Sequence, residues 1–190
     1  MQIVLAALVI LALAQQCQAD SISPAENFRA DVHTKILVAK GDALGLFRLD
    51  DGAVPNEYEL RLWSSLDSSL FRITKSPRGG WRAWEYNEHR AFANDVYLLN
   101  RLCMGPSGWE ALERGLLRIG VLDGGASFVP SYESRIVHGE LLSLEVRTPR
   151  GYESTLFGES RPGKTSHVVL DVARLIAEAK KTMKVCPLEF

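Results

Sequence analysis

Tyr58-Glu59-Leu60-Arg61-Leu62-Trp63, Phe71-Arg72-Ile73-Thr74 and Trp81-Arg82-Ala83-Trp84-Glu85-Tyr86 decide the fold class of this chain. The first two runs alternate apolar with polar residues and the third is rich in aromatics, which is how half-buried β-strands read. Between them lie Ser64-Ser65-Leu66-Asp67-Ser68 and Lys75-Ser76-Pro77-Arg78-Gly79-Gly80, both made of turn residues. Separators this short join antiparallel neighbours, so the three runs form a meander. Side chains alternate across a strand, so Leu60, Leu62, Phe71, Ile73, Trp81 and Ala83 fall on one set of faces. Arg61, Trp63, Arg72, Thr74, Arg82, Trp84 and Tyr86 fall on the other.

Working outward, the period after Glu88 is helical, with Phe92, Val96, Leu99 and Cys103 on one stripe. Ser107-Gly108-Trp109-Glu110 has the form of a capping box, and Trp109, Leu112, Leu116 and Ile119 predict a second helix behind it. Residues 135–147, with Leu142, Leu144 and Val146 facing one way, turn through Thr148-Pro149-Arg150-Gly151 into residues 152–157 as a hairpin. Thr165 or Ser166 can cap a last helix whose core stripe is Val169, Val172, Leu175, Ile176, Ala179 and Met183. Upstream, Ser23-Pro24-Ala25-Glu26 opens a helix carrying Phe28, Val32 and Ile36, which Gly41 can end, and residues 43–49 are a short apolar segment. Strands clustered in sequence, with helices between the clusters, predict an α+β fold. It is a mainly antiparallel sheet, a three-strand meander plus a C-terminal hairpin, packed with three to four helices.

Residues 1–19 carry no charged side chain and run apolar from Ile3 to Leu13, too short to span a bilayer. They read as a secretory signal peptide cleaved after Ala19, with Ala14 the alternative site. Residues 20–190 then form a single globular domain, exported to a bacterial periplasm or the extracellular space. No later segment is apolar enough to cross a membrane. A net charge of −1 provides no global field toward nucleic acid or acidic lipid. Of the three cysteines, Cys17 leaves with the leader. Cys103 and Cys186 remain, and in an oxidising compartment two thiols predict one disulfide, with two separate buried thiols as the alternative.

Candidate chemistry concentrates on the polar side of the meander. If the strands pair in chain order, Arg61, Arg72 and Arg82 share a face with Trp63 and Trp84. Guanidinium groups offer paired donors to carboxylate, sulfate or phosphate, and indoles offer flat surfaces to sugars. The same face also reads as a solvated surface whose arginines pair with acids such as Glu59, or as a face covered by a helix. The leading functional expectation is a small binding or interaction module for an anionic or glycan ligand or a protein partner.

A hydrolase with an acid–base site near Asp123, His138 and Glu140 is one alternative, although no G-x-S-x-G, S-x-x-K or ordered Ser, Asp and His signature occurs. An inhibitor of a secreted enzyme, presenting residues 124–134 as a loop, is another. His33, His89, His138 and His167 show no paired metal spacing, His89 and His167 reading as first-turn helix residues. Asp123-Gly124-Gly125 and Arg78-Gly79-Gly80 lack phosphate-loop patterns, so no metal, nucleotide or other cofactor is expected.

Overall fold

Alternation in the meander is realised as β1 (Tyr58–Ser64), β2 (Ser69–Lys75) and β3 (Trp81–Ala91), paired antiparallel in chain order. The computed structural model describes residues 40–42, 44–46, 48–49, 56–65, 69–91, 94–128, 131–132, 140–159 and 167–187. The leader, the helix predicted from Ser23, His33 and His138 lie outside the described residues. Residues 40–42 are helical, so that segment continues one residue past Gly41. Among the described residues, no helix is long and apolar enough to cross a membrane.

The sheet is larger than the sequence suggests. Residues 88–103 are strand, not helix: β3 continues to Ala91, and β4 (Asn94–Cys103) folds back on it from Ala91↔Asn94 to Ala83↔Leu102. The stripe Phe92, Val96, Leu99 and Cys103 fits a helical period, but tertiary context overrides it. Pairing with β4 satisfies backbone groups that β3 would otherwise leave open at a sheet edge. After helix α1 (Pro106–Ile119) come the two-residue β5 (Ser131–Tyr132), β6 (Glu140–Thr148) and β7 (Gly151–Glu159). Helix α2 (Val168–Lys180) and β8 (Lys184–Cys186) complete the chain. The strand order is β5-β7-β6-β1-β2-β3-β4-β8, antiparallel throughout except for β5 against β7.

Both helices pack on one face of this sheet. Leu60, Leu62, Phe71, Ile73, Ala83, Leu142, Leu144 and Val146 meet Leu112 and Leu116 of α1 and Val169, Val172 and Ile176 of α2 in the main core. The apolar half of the meander therefore faces where alternation places it. Lys75 and Trp81 fix α1 from below: the Lys75 ammonium lies 2.7 Å from one Glu113 carboxylate oxygen, and the Trp81 indole N–H donates to the other at 2.9 Å.

Helix starts differ from the capping residues that the sequence offers. α1 begins one residue before Ser107, at Pro106, with Gly105 rather than Ser107 at the cap and Pro106 in the first turn, where a missing N–H loses no hydrogen bond. His167, rather than Thr165 or Ser166, caps α2, its ring nitrogen accepting from the Val169 N–H at 3.3 Å.

At its far end α1 stops in a Schellman arrangement. The Gly120 N–H donates to the Leu117 carbonyl and the Val121 N–H to the Leu116 carbonyl, while Val121 and Leu116 pack together in the core. Gly120 has φ 86°, and a Cβ there would sit 2.7 Å from the Ala126 nitrogen and 2.8 Å from the Gly125 carbonyl carbon. Those are backbone atoms, which cannot swing aside. Gly120→Ala is therefore expected to destabilise the fold by about 2 kcal/mol or more, combining left-handed strain with that collision. In a domain of this size the fall in Tm is roughly 4–8 °C, and a melt within 1 °C of wild type would contradict it.

Candidate functional site

Register on the face opposite the helices assembles the site. Reading across the sheet, Glu145 of β6 lies opposite Arg61 of β1, Arg61 opposite Arg72 of β2, and Arg72 opposite Trp84 of β3. Trp84 in turn lies opposite Arg101 of β4, and Arg101 opposite Cys186 of β8. Opposed residues share a face, so one row carries three arginines and a tryptophan. Arg82 sits two residues along β3 from Trp84 on the same face, opposite Thr74.

The five residues singled out from the sequence, Arg61, Trp63, Arg72, Arg82 and Trp84, thus share one face but do not share one environment. Arg61 and Trp63 are buried. The Glu59 carboxylate, itself only 1 % exposed, accepts from Arg61 Nε at 2.9 Å and from Arg72 Nε at 2.7 Å on one oxygen. Its other oxygen accepts from Arg72 at 3.0 Å and from the Asn56 amide at 2.9 Å. The Trp63 indole donates to Glu145 at 2.8 Å, and the Tyr152 hydroxyl reaches the second Glu145 oxygen at 3.2 Å. Pairing with Glu59 is therefore the arrangement of Arg61 and Arg72.

Charge sets the protonation of this cluster. Burial alone pushes the Glu59 carboxyl upward, but the hydrogen bond and charge of Arg72, joined by those of Arg61, outweigh it and hold the carboxyl below its usual value. Burial likewise works against the Arg72 charge, and Glu59 outweighs it, so the guanidinium is held more firmly protonated than an exposed arginine.

A short segment covers part of the same face. Leu46 packs with Trp63, Leu70 and Tyr86 in a second, smaller core that Leu44 and Trp84 flank. Arg147 donates to the Leu49 carbonyl at 3.2 Å, and Lys40 pairs with Glu88 at 2.7 Å, fastening the described residues of this segment across the strands. The apolar content of residues 43–49 was visible in the sequence, but nothing local in it names the face that Leu44 and Leu46 cover.

What remains accessible is the side toward β4 and β8. Trp84 is half-buried, with the Arg72 guanidinium 5.1 Å from its ring centroid, a cation–π distance. Arg82 and Lys184 are exposed and form no ion pair among the described residues. Arg101 flanks Trp84 from the other side in register. Sequence reasoning missed Arg101 because it read residues 88–103 as a helix. No local alternation could have found it, because the polar pair Asn100-Arg101 is followed by the apolar pair Leu102-Cys103. Cys103 and Cys186 occupy the same corner, at disulfide distance with Cα atoms 6.0 Å apart, and the residue tied to the tail is the end of a strand rather than of a helix.

The alternative sites are not assembled by described side chains. Asp123 is exposed, and its carboxylate accepts from the Gly125 N–H at 3.1 Å as a local turn, while Glu140 opens β6. Of residues 124–134, Ser131 and Tyr132 are drawn into the sheet beside Phe157 and Gly158. His89 is a strand residue of β3, not a first-turn helix residue. Among the described residues, no three His, Cys, Asp or Glu side chains gather at metal-binding range. A cavity of about 800 Å³ lies between α1 and α2 on the other side of the sheet. Its cations Arg118 and Arg174 are balanced by Asp171 and Glu178, and Arg174 pairs with Asp171 at 3.2 Å. No protein-family model matches this sequence, and no curated protein matches it.

Proposed function

We propose that this chain is an exported binding module, released from its leader into the periplasm or the extracellular space, whose ligand is an anionic glycan. The ligand lies over Trp84 and is held by Arg82 and Arg101. The observation that carries this reading is the cross-strand row Arg72–Trp84–Arg101 with Arg82 beside it. Among the described residues, the stretch of that face from Arg82 to Tyr86 and from Leu99 to Cys103 carries no acidic residue. An indole ring accepts the C–H face of a sugar, and guanidinium forks on either side suit carboxylate or sulfate substituents. Arg61 and Trp63 support the site by holding β1 in place, and Arg72 orients the ring.

Titrating the protein with a heparin oligosaccharide at low salt and following tryptophan fluorescence tests the proposal. Arg82→Ala and Arg101→Ala are each expected to weaken binding about tenfold, since a charge-assisted hydrogen bond contributes about 1.5–3 kcal/mol. Trp84→Ala should weaken the oligosaccharide but leave inorganic sulfate unaffected. Unchanged oligosaccharide affinity in the triple variant would dismiss the site.

A further inference from the structure

The Cys103–Cys186 pair lies on the face that carries Trp84, not behind it. Cys186 is opposite Arg101 and Lys184 is opposite Cys103, so all four side chains leave the sheet on the side of Trp84. The two cysteines are diagonal neighbours on adjacent strands, with Cα atoms 6.0 Å apart. β8 has three residues, none of them buried, and is followed by Pro187, which has no N–H to lengthen the ladder. Where Lys184 stands is therefore set by three ladder positions and by the link.

Among the described residues, the way out from Trp84 across this face leads toward β4 and β8. Along β3, Tyr86 is buried against Leu46. Toward β2, Thr74 is buried and Arg72 holds Glu59. In the other direction Arg101, Cys103 and Cys186 are half-buried and Lys184 is exposed. Arg82, also exposed, lies two residues from Trp84 in β3, as Cys103 lies two residues from Arg101 in β4. Antiparallel order thus brings Arg82, Cys103 and Lys184 into one row across three strands. Neighbouring strands lie about 4.8 Å apart, which sets the Arg82 and Lys184 backbones about 10 Å from each other with a half-cystine between them.

We propose that Lys184 is a ligand-contact residue of this face, held there by the Cys103–Cys186 link, and that the ligand is a chain bearing more than one anionic group, laid from Trp84 across β4 to β8. This rests on the reading of the Trp84 face as a glycan site. Arg82 and Arg101 take the group nearest the ring, and Lys184, on the far side of the cystine, takes the next. An ammonium is a point charge on a flexible stem, suited to an anion whose orientation along a chain is not fixed. Losing the link releases β8 and removes that second contact, so the oxidised protein binds a polyanionic chain more tightly than the reduced protein does.

Titrating the full chain with a heparin hexasaccharide, followed by tryptophan fluorescence, tests this. In the oxidised protein Lys184→Ala is expected to weaken binding about fivefold, the loss of one exposed charge contact. Adding Val185→Lys to it keeps the net charge but puts the ammonium on the helix side of the sheet, since Val185 is opposite Leu102 and 67 % exposed, and should not restore affinity. Reduction by a dithiol, which converts the bond to two thiols and is itself left as a disulfide, should weaken the wild type about as much and Lys184→Ala little further. N-acetylglucosamine 6-sulfate, with one anionic group, should bind at least tenfold more weakly than the hexasaccharide. Full affinity in Lys184→Ala, rescue by Val185→Lys, equal affinity for the two sugars, or a reduced and folded protein that binds like the oxidised one would each overturn the proposal. If reduction unfolds the chain, the Lys184 and Val185 variants of the oxidised protein decide alone. Hexasaccharide binding that depends on Arg82 and Arg101 but not on Lys184 removes this inference and leaves the site, whereas dependence on none of the three removes both.

Discussion

Replacing Glu59 with alanine is expected to lower the stability of the fold by about 3–5 kcal/mol, because it leaves two buried or nearly buried guanidinium groups without their shared carboxylate. For a domain whose total stability is about 5–15 kcal/mol, that is a large share. In urea the unfolding midpoint should fall by roughly 2 M. The physical origin can be isolated by a cycle. Arg61→Leu and Arg72→Met, added to Glu59→Leu, remove the charges together and should recover much of the loss, since an apolar replacement of a whole buried cluster is often near neutral. If Glu59→Ala alone lowers stability by less than about 1 kcal/mol, water reaches these arginines and the cluster is a surface pair.

The same cluster gives acid sensitivity a definite sign. The Glu59 carboxyl is depressed in the fold by Arg72 and Arg61 against the effect of burial, so its contribution is fully present above its unfolded value of about 4.5 and is lost as pH falls through the lower folded value. Glu113 is depressed too, chiefly by the hydrogen bond from Lys75 and then by that from Trp81, and acts in the same direction. Stability of the wild type should therefore fall as pH drops below about 4.5. Glu59→Gln should flatten that dependence without abolishing it, because Glu113 still titrates. Equal acid slopes for wild type and Glu59→Gln, measured by urea melts, would show that Glu59 is not the group responsible.

Breaking the Cys103–Cys186 link is expected to have an effect of similar size. The two cysteines are separated by 83 residues, and closing a loop that long reduces the entropy of the unfolded chain by an amount worth up to about 4–5 kcal/mol. β8 has three residues, none of them buried, so little else holds it on β4. Cys103→Ser with Cys186→Ser should lower Tm by roughly 8–20 °C and raise hydrogen exchange first in β8 and at the end of β4. Peptide mapping of the native protein should recover the two cysteines as one linked pair. Two freely alkylated thiols, or melts that ignore a reducing agent, would show that the pairing contributes nothing.

Parts of this architecture were legible before any tertiary information. Period-two alternation in Leu60-Arg61-Leu62-Trp63 and Phe71-Arg72-Ile73-Thr74 places the leucines, Phe71 and Ile73 in the helix-covered core and Arg61, Trp63 and Arg72 on the other face. The Leu142, Leu144 and Val146 hairpin follows the same rule. Residues 88–103 were not legible. Their apolar spacing satisfies a helical stripe as well as a strand, and only the chance to pair with β3 separates the two. That one misreading hid Arg101 from the site.

The sequence by itself determined which side chains share a face, since that depends only on a strand's own period. If residues 1–19 are removed as a leader, it also leaves two cysteines, an even count that predicts a pair. The tertiary structure decided what those faces mean. Strand order and register brought Glu59 between Arg61 and Arg72, Leu44 and Leu46 covered Trp63 and Leu70, and β4 set Arg101 beside the Trp84 that remained accessible. Whether an arginine is buried against an acid or faces an accessible ring depends on charges and cover supplied by distant segments. Those are properties of neighbours in space, and local periodicity carries no information about them.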